Sequence, residues 1–121
     1  MNRINNKNDA YKKLRKYFND EYELMLCLHL DNDNKLLNEH ILKKGDKSSC
    51  TLMSKDLFEI DLINMSHNGK IILAHNHTNG RLKVSREDIE SKEIIEDYSL
   101  TYGINIVDYL IFTDEGVISY K

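Results

Sequence analysis

A single α/β domain, built as a mixed sheet with helices packed against it, is the fold class this sequence predicts. Three observations carry the prediction. The chain has 121 residues, which suits one domain spanning 1–121. Apolar residues recur with a helical period in some stretches and alternate with period two in others. The two kinds of stretch interleave in the order α-β-β-α-β-α-β-β, with no repeat, low-complexity segment or linker.

Each element has a local reason. Residues 2–9 are polar, so the stretch 1–9 is expected to fray and to be disordered. In "DAYKKLRKYF", Tyr11, Leu14, Tyr17 and Phe18 fall on one side of a helix whose outer face is basic. "EYELMLCLHLD" alternates, with Tyr22, Leu24, Leu26, Leu28 and Leu30 on one side of a strand. "DNDN" has turn chemistry, and "KLLNEHILKKG" returns as the second strand of a hairpin. Ser54 is placed to cap a helix over "KDLFEIDLINMSHNG", with Gly69 at its C-terminus. "KIILAHNH" is nearly continuous in apolar residues, as a strand buried on both faces should be. "SREDIESKEIIEDYSLTYG" is the strongest helix, with Ser85 as its cap, Gly103 as its stop, and Ile89, Ile95, Tyr98 and Tyr102 facing inward. "INIVDYLIFTDEGVISYK" reads as two strands joined at "TDEG".

Bulk composition narrows the function classes. A net charge of −3 argues against broad electrostatic binding to nucleic acid. The N-terminal stretch has no apolar core of a secretory signal, and no run approaches the ~20 apolar residues of a membrane span. Cys27 and Cys50 form no CxxC pair. The expectation is a cytoplasmic protein with reduced thiols, Cys27 as a core residue and Cys50 in a loop.

The chemistry concentrates in "ILAHNHTNGRLKVSRED", residues 72–88. On an extended backbone His75 and His77 point the same way and can reach one metal ion. Asp88 follows in the first turn of the next helix and can supply a carboxylate. Two imidazoles, one carboxylate and a water make a zinc site with one open position, the catalytic rather than the structural arrangement. "SRED" is also a near capping box, so Ser85 and Asp88 have a structural reason to be there as well. Glu39, on an apolar strand beside Leu37 and Ile41, needs a partner if it points toward the core, and an activated water is one such partner. It is a candidate general base, and Ser85 a candidate donor to an oxyanion.

An upstream Glu39, then His75-Asn76-His77, seven residues, Ser85, two residues and Asp88 is similar to the JAMM motif of the JAB/MPN metalloprotease family. "ILAHNH", "SREDIE", "GINIVDYLIF" and "LLNEHILKKG" resemble its RadC branch. The resemblance spans roughly residues 20–120. It implies a curved mixed sheet flanked by helices in a three-layer, cytidine-deaminase-like arrangement. It implies one zinc ion per chain on His75, His77 and Asp88, Glu39 as general acid/base and Ser85 as oxyanion or water partner. The sequence departs from the branch at Thr78 and "RLKV", where prolines are usual, so the loop between the ligands is less stiffened. The helical DNA-binding region that RadC proteins carry is represented here by one short helix.

Three functions compete. The first is a zinc metallopeptidase cleaving a peptide or isopeptide bond in a protein or peptide substrate. The second is a RadC-type factor associated with DNA repair or recombination, which the acidic balance disfavours. The third is a scaffold that has lost its metal, against which stands the full motif. A homodimer through an exposed strand edge is a further expectation.

Overall fold

A computed structural model describes residues 2–45 and 69–121. Helix α1, Lys7–Leu14, runs on as a 3-10 turn, Arg15–Tyr17. Strands β1, Leu24–Leu30, and β2, Leu36–Lys44, form the expected hairpin. Strand β3, Lys70–Asn76, leads to helix α2, Arg86–Tyr102. Strands β4, Ile106–Thr113, and β5, Gly116–Ser119, close the chain. The expected helix over 55–69, its cap Ser54 and the loop residue Cys50 lie outside the described residues, except for Gly69.

The five strands form one sheet in the order β2-β1-β3-β4-β5. Strand β1 runs antiparallel to both β2 and β3, β3 runs parallel to β4, and β4 is antiparallel to β5. The sheet is therefore mixed, as expected, and the parallel β3–β4 pair requires the crossover that α2 provides. All seven residues of β1 are buried, and so are six of seven in β3. Those two strands lie inside the sheet, with β4 beside them, and are covered on both faces.

The two faces hold two cores. Leu24, Leu26, Leu28 and Leu30 join Ile72, Ala74, Leu110 and Phe112 beneath Ala10 and Leu14 of α1. Met25 and Cys27 join Ile71, Leu73 and Tyr109 beneath Ile95 of α2. The result is a layer of α1, a sheet and a layer of α2. Burial pushes the Cys27 thiol up to about 12, as suits an inert core residue.

Two expectations need correction. Residues 2–6 are not frayed: Ile4 is buried and donates to the Asn34 carbonyl, Leu36 donates to Asn2, and Asn6 caps α1 through Asp9 N–H. Ile89 and Tyr102 of α2 are exposed, whereas Ile95 and Tyr98 face the core. Gly69, whose expected helix lies outside the described residues, allows a close approach, because a Cβ there would overlap the Leu30 carbonyl oxygen. Residue 69 meets backbone, which has no flexible side chain to yield. Gly69→Ala is therefore expected to destabilise the fold by about 1–3 kcal/mol, read as a lower urea midpoint with an unchanged slope.

Candidate metal centre

Strand β3 delivers both histidines. His75 lies opposite Met25, so its side chain shares the α2 face with Met25. His77 follows the end of the strand and keeps the extended course by donating its N–H to the Phe112 carbonyl at 3.2 Å. The two Nε2 atoms then stand 3.2 Å apart. The rings lie with centroids 5.1 Å apart and planes inclined at 48°, so they converge on one point rather than stack.

Helix α2 brings the carboxylate. Ser85 has extended backbone and accepts the Asp88 N–H at 3.1 Å, while Asp88 Oδ2 accepts the Ser85 N–H at 2.9 Å. This reciprocal capping box fixes the first turn and aims Asp88 at β3. Asp88 Oδ1 lies 3.0 Å from His75 Nε2, and Oδ2 lies 3.2 Å from His77 Nε2. The structure thus brings His75, His77, Asp88 and Ser85 together. The hydroxyl proton of Ser85 is not consumed by the cap and remains able to donate.

The donor set fits a divalent metal. The two Nε2 atoms and the two Asp88 oxygens make three contacts of 3.0–3.2 Å, close to the ligand–ligand edges of about 3.4 Å expected for a tetrahedron with bonds of about 2.0–2.1 Å. The tautomers fit as well. The Arg81 carbonyl, 3.1 Å from His77 Nδ1, can only accept, so Nδ1 carries the proton and Nε2 keeps a lone pair. The Tyr120 hydroxyl stands 3.4 Å from His75 Nδ1 and can accept from it in the same way. Two facing imidazole lone pairs repel each other unless a proton or a cation sits between them. Among the described residues, these three are the only group of three or more metal-ligating side chains.

The same contacts shift the ionisation of the metal-free cluster. Burial pushes the His77 pKa down, but the hydrogen bond and charge of Asp88 outweigh it and leave it raised, with Glu23 and the Arg81 carbonyl adding to the rise. Burial pushes Asp88 up, yet hydrogen bonds from His75 and His77 and the Ser85 N–H hold it well below the usual carboxylate range.

Glu39 stands elsewhere. It pairs with Leu28, and Leu28 belongs to the α1 core, so Glu39 lies on the sheet face opposite His75. Its Oε1 accepts from Tyr17 at 2.8 Å and pairs with Lys16 at 3.0 Å. Burial raises its pKa, but these partners outweigh burial and lower it. The expectation that Glu39 serves the metal centre as general base is therefore corrected. The partner its position required is a phenol and an ammonium, and Leu37 and Ile41 beside it are exposed. The physical reason is a bulge: His29 pairs with Asn38 but Leu30 pairs with Leu36, which leaves Leu37 as an extra residue.

Glu23 is the carboxylate the sequence reading passed over. It is buried, precedes β1, and acts electrostatically on both His77 and Tyr120. The β1–β3 register pairs Met25 with His75; carried two residues further, it sets Glu23 across from His77. The available signal was parity, since Glu23 falls on the side of β1 not occupied by its leucines.

A raised His77 pKa has a definite sign. In the metal-free protein it contributes stability that is fully present below the unfolded value of about 6.5 and lost as pH rises through the folded value. A metal ion held there would have to displace that proton, so metal affinity would fall as pH drops through the same range. Thermal unfolding between pH 6 and 8 should therefore show opposite slopes: the His77-linked stability of the metal-free protein falls with pH, and that of the zinc-loaded protein rises.

Comparison with known proteins gives the family. Residues 4–121 match the RadC-like JAB domain family. A UPF0758 protein of Aquifex aeolicus is 29% identical over 118 residues, covering 98% of this chain and 50% of that protein. A UPF0758 protein of Methanosarcina mazei is 30% identical over 111 residues, covering 92% of this chain and 46% of that one. Another from Enterococcus faecalis is 27% identical over 101 residues, 84% of this chain and 43% of its own length. The chain spans about half the length of these relatives, and their names state no reaction. Among the described residues no helix is long and apolar enough to cross a membrane. The family match covers nearly the whole chain, including the two-histidine strand end and the capped helix, and the chain belongs to the RadC-like JAB domain family.

Proposed function

We propose that this chain is a zinc-dependent metallohydrolase of the JAMM type, cleaving a peptide or isopeptide bond in a protein or peptide substrate. The observation that carries the reading is the triangle of His75 Nε2, His77 Nε2 and Asp88, with contacts of 3.0–3.2 Å and the His77 tautomer set by the Arg81 carbonyl. His75, His77 and Asp88 would hold one zinc ion per chain. Bound there, zinc supplies Lewis-acid polarisation of the scissile carbonyl and acidifies a water.

The protein's own residues do the rest. Glu23, on the same face as the histidines, takes a proton from the attacking water and returns it to the leaving amine. Ser85, held against Asp88 by the cap, donates its hydroxyl proton to the developing oxyanion. Tyr120 and Arg81 keep the imidazoles turned so that Nε2 faces the centre. The free, buried Cys27 thiol suits a reducing compartment, in keeping with a cytoplasmic enzyme.

Elemental analysis of protein purified without a metal-affinity tag tests the centre. About one zinc per chain in the wild type and none in His77→Ala is the expected result; wild type that stays empty after zinc is added back overturns the reading. Hydrolysis of peptide- and isopeptide-linked fluorogenic substrates then separates the two glutamates. Glu23→Gln should lose about 10²–10⁴-fold in kcat/KM, whereas Glu39→Gln should stay within about threefold of the wild type. The reverse pattern returns the role to Glu39.

A further inference from the structure

The residue between the two histidines has a place of its own. Asn76 alternates away from His75 and His77, is fully buried, and follows the Met25–His75 pair at which the register of β1 and β3 ends. Its Oδ1 accepts the Leu24 N–H at 2.7 Å. Its Nδ2 donates to the Tyr22 carbonyl at 3.1 Å and to the Asn19 carbonyl at 3.1 Å.

Two of those three partners flank Glu23. The Tyr22 carbonyl belongs to the peptide unit before Glu23, and the Leu24 N–H to the one after it. Rotation of either unit would swing the Glu23 side chain, and one amide holds both. The Glu23 carbonyl is fixed separately, by the Gly45 N–H at 2.8 Å. Only a side chain that both accepts and donates can make this clamp: Asp has no donor, and Leu has neither group.

We propose that Asn76 is a positioning residue that sets the Glu23 carboxylate against the metal centre. The same amide that ends the β1–β3 ladder aims the proton-carrying group. Asn76 touches neither the metal ligands' nitrogens nor the reacting atoms; it acts through the backbone of Glu23. The inference rests on the role of Glu23 proposed above. A purely structural Asn76 would satisfy buried backbone groups at the strand end and nothing more, and its loss would lower stability alike whether or not Glu23 is present.

A double-mutant cycle on zinc affinity separates the two. The full-length chain carries Asn76→Ser, Glu23→Gln, or both, and zinc is titrated against a chromophoric chelator, with thermal unfolding as the check on folding. Isosteric Asn76→Asp, which keeps the bond to Leu24 and gives up both donations, provides a second cycle should the serine variant fail to fold. Glu23→Gln is expected to weaken zinc about tenfold, as outer-shell carboxylates do. Asn76→Ser is expected to weaken it about as much alone, and by less than about twofold on top of Glu23→Gln. The loss of thermal stability should be the same in both backgrounds. Equal losses of zinc affinity in both backgrounds, or none from Asn76→Ser in a folded protein, overturn the inference while leaving Glu23 in place. A Glu23→Gln variant that matches the wild type in zinc affinity and in hydrolysis overturns the assignment of Glu23, and this inference with it.

Discussion

One carboxylate joins the two halves of this molecule. Asp88 completes the cap of α2 through the Ser85 N–H and also meets both imidazoles at the end of β3. A half-buried anion in such a place needs several partners to offset its lost hydration, and it has them from two elements at once. The entry of α2 is therefore tied to the strand end by charge and hydrogen bonds. The packing of Ile95 against Met25, Leu73 and Tyr109 then holds the helix body on the sheet.

Sheet order decides what can gather around that carboxylate. Strand β3 is central, so its end is flanked by the start of β1 on one side and by β4 on the other. The antiparallel pairing with β1 brings residues 19–24 alongside His75 and His77. The parallel pairing with β4, followed by β5, returns Tyr120 to the far side of His75. Elements from four parts of the chain thus converge on one strand end, which is where a mixed sheet with a crossover helix concentrates its loops.

The legible part of the site is the part with short sequence separation. His75 and His77 follow from strand alternation, and Ser85 and Asp88 from the grammar of helix caps; both are local rules. The element order was legible for the same reason, since β1, β3 and α2 carry strong periodic patterns. Glu39 was misplaced because alternation along "KLLNEHILKKG" is interrupted twice, at Leu37 and at Leu42, and periodicity does not register a bulge. Glu23 went unread because its relation to His77 depends on which strand pairs with which, and in what register. The order of the N-terminal residues was missed for the same kind of reason: Ile4 is held by Asn34 of the distant hairpin turn.

The bulge at Leu37 also governs how residues may be matched across this hairpin. A regular ladder running on from the Leu30–Leu36 pair would set Glu39 opposite Cys27, on the layer shared with the histidines. With one residue looped out, Glu39 lies opposite Leu28, and His40 takes the place opposite Cys27. Chain length between turn and strand thus acts as a selector between two neighbouring side chains. A homologue with identical spacing but an unbroken ladder would present the other one to the α2 layer, so equivalence here is a property of backbone register rather than of alignment column.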